Sequence, residues 1–169
     1  MDAEQLRALQ APLKESYRAD PQSAVITLKA EGAIDDANIA CKVDTGRALV
    51  TAGLHPATGG TGMEACSGDM LLEALVACAG VTLKAVATAI GVELRAGTVR
   101  AEGDLDFRGT LGVDREAPVG FSAIRLAFNL DTNAPQDKID QLIKLTERYC
   151  VVFQTLNRKP ELAVAVSRA

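Results

Sequence analysis

Apolar residues dominate one segment near the middle of the sequence, residues 70–83, in which Glu73 is the one charged side chain. Glu73 and Lys84 lie about three helical turns apart, so a helix would place both on a single solvated stripe. Cys78 points about 140° away from that stripe. The apolar residues expected on the side of Cys78 are Leu71, Ala74, Leu75 and Ala85. The pattern therefore predicts a helix with one solvent-exposed face, whose other faces are largely buried.

The predicted helix has recognisable ends. Ser67 is expected to be its N-cap, and Asp69 lies where a carboxylate interacts favourably with the positive end of the helix dipole. The helix is expected to end near Ile90, before Gly91. Its uncharged run, residues 74–83, is too short to span a bilayer, so we predict a core helix.

Alternating apolar and polar positions predict strands before this helix. Residues 24–30, 39–43 and 49–51 are expected to form a three-stranded meander, with a hairpin loop at 31–36 and a turn at 44–46. A short helical arm is predicted within the first twenty residues from the spacing of Leu6, Leu9 and Leu13.

Further elements are predicted after the central helix. Two half-buried strands have inward positions at Val99, Ala101, Gly103, Leu105 and Phe107, and at Ile124, Leu126, Phe128 and Leu130. A second helix from about Pro135 has inward positions at Ile139, Leu142, Ile143, Thr146 and Cys150. A closing strand is predicted from Leu162, Val164 and Val166.

This order of elements predicts an α+β fold in which antiparallel sheets wrap a long buried central helix. The length of the chain favours a single domain over residues 1–169. One subunit of this size is not expected to cover such an apolar helix on all sides. We therefore predict a homodimer.

Charge and composition exclude several classes of function. The net charge is -4 and Lys and Arg form no run, so we expect no nucleic-acid partner. The acidic N-terminus is not followed by an apolar signal segment, so we expect a cytoplasmic protein without membrane association. The four cysteines form no CxxC motif and His55 is the single histidine, so neither a metal nor another cofactor is predicted.

Cys78 and Cys150 are the candidates for chemistry. A cysteine on an apolar helix face is usually a small core residue, but two thiols brought together by the fold could form a reversible dithiol/disulfide couple. Cys41 and Cys66 are interpreted as structural, and His55 as a loop residue. The glycine-rich loop at 54–62 lacks the ending of a phosphate-binding loop and is expected to be a flexible loop at the edge of the site.

Two motifs resemble those of the OsmC/Ohr family. The run Ser67-Gly-Asp-Met-Leu-Leu-Glu-Ala-Leu-Val-Ala-Cys78 is similar to the helix start and first cysteine of that family. The run Glu147-Arg-Tyr-Cys150-Val-Val is similar to the second motif, which is typically a helix ending near Cys-Pro-Val. The resemblance extends over most of the chain and is weaker in the first twenty residues.

The resemblance implies an OsmC-like fold, an intertwined homodimer and a cytosolic thiol-dependent peroxidase. The substrates would be organic hydroperoxides, with hydrogen peroxide as a second candidate, and the reductant an external dithiol. Cys78 would be the peroxidatic thiol, oxidised to a sulfenic acid, and Cys150 the resolving thiol that closes a disulfide.

The sequence departs from the family pattern around the expected site. The apolar face of the helix is expected to raise the pKa of Cys78, which the family's peroxidases counter with an arginine from an early loop and a glutamate at the helix start. Residues 31–36 contain no arginine, Gly68 stands at the glutamate position, and no proline follows Cys150. The candidate substitutes are Asp69, Arg18, Arg47 and Arg148. The alternative function is a non-catalytic OsmC-like protein that binds a small apolar ligand in the dimer-interface cleft.

Overall fold

The segments before the central helix form a four-stranded sheet. The computed structural model describes residues 2–5, 8, 11, 19, 31–34, 40–44, 49–112 and 114–168. Its first strands are β1 (Glu31–Ile34), β2 (Ala40–Asp44), β3 (Leu49–Gly53) and β4 (Ala65–Cys66). β1, β2 and β3 are antiparallel neighbours, while β4 pairs in parallel with β3 through Ala52 opposite Ala65 and Gly53 opposite Cys66.

The start of this sheet differs from the sequence prediction. Residues 31–34, expected in a hairpin loop, are a strand whose register places Ile34 opposite Cys41. Glycine and acidic residues favour a turn locally, but pairing with β2 overrides that preference. The strand predicted at 24–30 and the leucines of the predicted N-terminal arm lie outside the described residues. In that arm Asp2 and Gln5 cap each other, with each side chain accepting from the other's backbone N–H.

The central helix, α1, is Ser67–Ile90. Its predicted end is confirmed, with Gly91 in the left-handed conformation (φ 73°) that closes many helices. The prediction of Ser67 as N-cap is wrong by one position. Cys66 is the N-cap and makes no side-chain capping hydrogen bond, because β4 keeps the chain extended up to that residue. Asp69 lies in the first turn, as predicted.

Burial around α1 is uneven within one subunit. Glu73 and Lys84 are exposed, as predicted. The buried residues are Leu75, Ala79, Leu83, Val86 and Ala87. Leu71 and Ala74, expected to be buried beside Cys78, are instead exposed, and Val81 is 73% exposed. One apolar flank of α1 is therefore uncovered.

Length and mean hydropathy alone would allow α1 to cross a membrane. The length of the uncharged run therefore does not decide whether α1 could span a membrane. Within this chain α1 packs against β4, β5 and the two later helices.

A long β-hairpin covers one side of α1. It consists of β5 (Ala96–Leu105) and β6 (Phe121–Asp131), which are antiparallel. The predicted alternation is confirmed, because the inward positions from Val99 to Leu105 and from Ile124 to Leu130 are half-buried between exposed neighbours. Phe107, expected in the strand, belongs to a helical turn at Phe107–Thr110. On the outer face Arg125 bonds Asp104 and Arg100 pairs with Glu102 at 2.7 Å.

Two helices pack on α1 after the hairpin. α2 is Gln136–Tyr149 and α3 is Val151–Asn157. The predicted start of α2 near Pro135 is confirmed, and its inward residues Leu142 and Thr146 are buried. α3 was not predicted.

The predicted closing strand is absent from this part of the described chain. Residues 159–168 contain no strand, and Leu162, Val164 and Val166 are exposed, Val164 at 93%. The alternation typical of a strand is present in the sequence, but no described strand pairs with the segment. A strand needs a neighbour for its backbone hydrogen bonds, so the pattern alone does not produce one.

Candidate functional site

Cys150 lies at the junction of α2 and α3. Its extended backbone (φ -72°, ψ 108°) ends one helix and begins the other. Its N–H donates to the carbonyl of Thr146 at 2.9 Å, and its carbonyl accepts from the N–H of Gln154 at 2.9 Å. The Gln154 side chain donates to the carbonyl of Glu147 at 2.7 Å, which satisfies a carbonyl at the end of α2. These bonds fix the position of the Cys150 side chain, which is 1% exposed.

Cys78 lies in the middle of α1 and meets Cys150 across the helix packing. Both belong to one apolar cluster, in which Leu75 and Ala79 are also buried. The residues packed around this cluster come from β5, β6 and α3: Val99, Ala101, Ile124, Leu126, Phe128, Val152 and Phe153. The two thiols lie close enough for each to influence the pKa of the other, and both cysteines are free. The structure therefore brings together the two cysteines that the sequence singled out.

The environment lowers the pKa of Cys78 below its ordinary value. Burial acts in the opposite direction and is the largest single influence. Hydrogen bonds from the Val152 amide, the Cys150 thiol, the Val151 amide and the Thr82 hydroxyl together outweigh it. The expectation of a raised pKa is thus wrong, because it considered the apolar face of α1 and not the donors brought by α3.

The pKa of Cys150 shifts in the opposite direction. Burial raises it, the Phe153 amide lowers it, and both the hydrogen bond and the charge of Cys78 raise it. A thiolate is the nucleophilic form of cysteine. The geometry therefore makes Cys78 the more readily ionised thiol of the pair and keeps Cys150 protonated beside it.

Asp69 and Arg148, the two expected supporting residues that the structure describes, are exposed, and neither is among the groups that influence the pKa of Cys78. Asp69 is exposed in the first turn of α1, on the order of 13 Å from Cys78 along the helix axis at 1.5 Å per residue. Arg148 is exposed and lies over the ring of Tyr149, 5.7 Å from its centroid. Arg18 and Arg47 lie outside the described residues.

Sequence reasoning missed the groups that do contact the Cys78 sulfur. Thr82 follows Cys78 by one helical turn, a spacing that places two side chains on the same face and could have identified it. No sequence pattern identified the amides of Val151 and Val152 as neighbours of Cys78. Their positions depend on where α2 ends and α3 begins.

The remaining candidates have structural roles. His55 accepts a hydrogen bond from the Ala57 N–H at 3.0 Å and stacks on Phe107, with ring centroids 4.9 Å apart. Cys66 is half-buried at the N-cap of α1, and the side chain of Cys41 lies outside what the structure describes. Among the described residues no three His, Cys, Asp or Glu side chains are placed to hold a metal ion.

A cavity of about 320 Å³ with a lining of mixed polarity adjoins the thiol cluster. It is lined by Leu75, Phe121, Ser122, Ala123, Ile124, Leu126, Phe153, Leu156 and Asn157. Leu75, Ile124, Leu126 and Phe153 are also members of the cluster that holds Cys78 and Cys150. Apolar groups in this cavity would therefore lie one side chain away from the thiols.

Solved structures of other proteins have the same fold. An OsmC-like protein from Mycoplasma pneumoniae superposes with a TM-score of 0.64 at 16% identity, covering 78% of this chain and 88% of that one. An organic hydroperoxide resistance protein OsmC from Legionella pneumophila gives 0.61 at 16% identity, covering 79% and 90%. An organic hydroperoxide resistance protein from Elizabethkingia anophelis gives 0.62 at 17% identity, covering 80% and 91%. These identities establish the fold and not the activity.

Sequence comparison identifies the family. No curated protein matches the chain. The family model of OsmC, described as OsmC-like protein, matches residues 60–165. The resemblance and the α+β OsmC-like fold predicted from the two cysteine motifs are thus confirmed. Since the match covers well over half of the sequence, the chain belongs to the OsmC-like protein family.

Proposed function

We propose that this protein is a thiol-dependent peroxidase that reduces organic hydroperoxides with Cys78 and Cys150. The observation that carries the proposal is the contact between two free thiols whose pKa values shift in opposite directions. Family membership supports it, since two structural neighbours are named organic hydroperoxide resistance proteins. The hydrogen-bonded Cys78 is the peroxidatic thiol and Cys150 the resolving thiol.

The first step is attack of the Cys78 thiolate on the terminal oxygen of the hydroperoxide. An S–O bond forms as the O–O bond breaks, and the alkoxide leaves as an alcohol after it takes a proton. Cys78 becomes a sulfenic acid and the peroxide is reduced by two electrons. The donors from α3 and Thr82 favour the thiolate that this step consumes.

The second step is attack of Cys150 on the sulfur of oxidised Cys78. An S–S bond forms, the S–O bond breaks, and the oxygen leaves as water. The charge of Cys78 is one cause of the raised pKa of Cys150. Because the sulfenic acid is neutral, oxidation removes that charge and makes Cys150 easier to ionise. An external dithiol then reduces the disulfide and is itself oxidised.

The cavity beside the cluster favours an organic substrate over hydrogen peroxide. Its lining includes apolar side chains from α1, β6 and α3, among them Leu75, Leu126 and Phe153, against which an alkyl or aryl group can pack. A second subunit is part of the proposal, because one apolar flank of α1 is uncovered in a single chain. We propose that the protein works as a homodimer in the cytoplasm.

Peroxide consumption with a dithiol reductant tests the function. Wild type should consume cumene hydroperoxide, Cys78→Ser should be inactive, and Cys150→Ser should be oxidised once and retain a trappable sulfenic acid on Cys78. Cys66→Ser is the matched control and should keep wild-type turnover, because Cys66 precedes α1 and lies roughly 18 Å from Cys78 along the helix axis at 1.5 Å per residue. Equal rates in wild type and Cys78→Ser would reject the proposal and favour the non-catalytic protein that binds an apolar ligand.

A further inference from the structure

We propose that the external dithiol attacks the sulfur of Cys78, and not that of Cys150, when it reduces the disulfide between them. The inference rests on the proposed peroxidase cycle and assigns the route by which the reductant reaches the site. Two observations carry it: Cys78 is partly exposed, and Cys150 is 1% exposed. Access decides which of two disulfide sulfurs an incoming thiolate attacks.

Cys78 lies at the boundary between the buried side and the uncovered flank of α1. At about 100° per residue, Leu75 and Thr82 lie within about 60° of Cys78 on one side, and Ala74 and Val81 lie equally close on the other. Leu75 is buried, whereas Ala74 is exposed and Val81 is 73% exposed. The uncovered flank therefore reaches the Cys78 side chain. This approach must stay open in a working dimer, because the peroxide reacts at the same sulfur.

Cys150 has no comparable approach in the part of the chain that the structure describes. Its side chain is enclosed in the apolar cluster. The cavity beside this cluster is lined by Leu75 and Phe153 but not by Cys150. A groove on the outside of the α2–α3 junction is lined by Tyr149 and Val151, the two neighbours of Cys150, but again not by Cys150 itself. A thiolate from solvent would have to displace packed side chains to reach this sulfur.

Leaving-group chemistry alone favours the opposite choice. A disulfide exchanges faster when the thiol that leaves has the lower pKa. The environment lowers the pKa of Cys78 and raises that of Cys150. Attack on Cys150, with Cys78 leaving, would therefore be favoured if both sulfurs were equally accessible. Burial of Cys150 acts against this preference, so the attacked sulfur reports which effect is larger.

Reduction through Cys78 has two steps. The thiolate of the reductant bonds to the Cys78 sulfur as the Cys78–Cys150 bond breaks, and Cys150 leaves as a thiolate that takes a proton. The second thiol of the reductant then attacks the reductant's own sulfur in this mixed disulfide, and Cys78 leaves as a thiolate. The reductant is oxidised by two electrons to a disulfide, and both cysteines return to the reduced form.

A monothiol identifies the attacked sulfur, because it lacks the second thiol that completes the reduction. The protein is oxidised with diamide to the Cys78–Cys150 disulfide, treated briefly with 2-mercaptoethanol, quenched with acid and alkylated. Mass spectrometry then locates the mercaptoethanol adduct. The adduct should lie on Cys78 at least about tenfold more often than on Cys150, because access controls which sulfur is attacked. Equal adducts, or a preference for Cys150, would overturn the inference.

The same disulfide in denaturing urea is the matched control. Unfolding exposes both sulfurs to the same solvent, so the adduct should divide nearly equally between Cys78 and Cys150. A preference for Cys78 that persists in urea would show that burial does not cause it, and this result would also overturn the inference.

These measurements separate the route of reduction from the peroxidase function, because diamide forms the disulfide without peroxide. An active peroxidase whose adduct lies on Cys150 would reject the proposed route alone. An adduct on Cys78 in a protein that consumes no peroxide would reject the peroxidase function alone. Failure of diamide to link the two cysteines would reject both.

Discussion

At the scale of residues, the site differs from its sequence prediction in how the thiolate is stabilised. The departures from the family pattern predicted that another arginine would stabilise the Cys78 thiolate. Among the described residues, the groups that lower the pKa of Cys78 are backbone amides, a thiol and a hydroxyl. Hydrogen bonds to a charged group are each worth about 1.5–3 kcal/mol, so several can offset the cost of partial burial. The residue type of Val151 and Val152 is incidental, because their backbone provides the contact.

The opposite pKa shifts predict an order of reactivity for the two cysteines. Thiolate fraction controls alkylation, so a lowered pKa moves the half-maximal rate of Cys78 to lower pH, while a raised pKa moves that of Cys150 to higher pH. We expect iodoacetamide to label Cys78 before Cys150 at every pH between 6 and 9, roughly the range in which thiols titrate. The Cys150→Ser variant is the control, because it shows how fast Cys78 is labelled when the Cys150 thiol is absent. Faster labelling of Cys150 would contradict the assignment of roles.

At the scale of elements, α1 and the β5–β6 hairpin were largely predictable and the end of α2 was not. The alternation from Val99 to Leu105 has a period of two, which a half-buried strand imposes directly. The end of α1 follows from Gly91. The residues around Cys150 mark no break, because neither glycine nor proline follows it; the resemblance to a motif that ends a helix near Cys-Pro-Val was the one indication of it. The amide donors at the site could not be predicted for the same reason.

Leu75 should be a principal packing residue of the cluster that holds the thiols. It is 1% exposed in α1 and contacts the residues around Cys150. We expect Leu75→Ala to lower the free energy of unfolding by about 2–5 kcal/mol. Leu111→Ala, at an exposed position, should change it by no more than about 0.5 kcal/mol. Chemical denaturation measures both, and similar effects would show that Leu75 is not part of a tightly packed core.

At the scale of the whole molecule, one chain leaves apolar surface that its own elements do not cover. The uncovered flank of α1 includes Leu71 and Val81, and the C-terminal segment exposes three alternating apolar residues. Alternation in residues 162–166 is typical of a half-buried strand, yet no described strand pairs with it. The sequence pattern does not specify which chain supplies a neighbouring strand. The alternation therefore predicted a closing strand that is absent from the described residues.

A homodimer that covers α1 should be sensitive to charge on that flank. Val81 is 73% exposed in one chain, and burying a carboxylate there without a partner would be costly. We expect light scattering to report a dimer for wild type and a shift toward monomer for Val81→Glu. Val119→Glu, at an exposed position in the loop between β5 and β6, is the control and should remain dimeric. Monomeric wild type at micromolar concentration would contradict the homodimer.

The short parallel pairing of β3 with β4 has a practical consequence. It joins the two ends of residues 54–64, so this segment leaves and re-enters the fold at nearly the same place. Closure entropy rises only slowly with loop length, and Met63, near the end of the segment, is 88% exposed. A fluorescent reporter or an affinity tag inserted next to Met63 would extend a loop that is already closed. The protein thus offers an internal attachment point that leaves both termini free for studies of assembly.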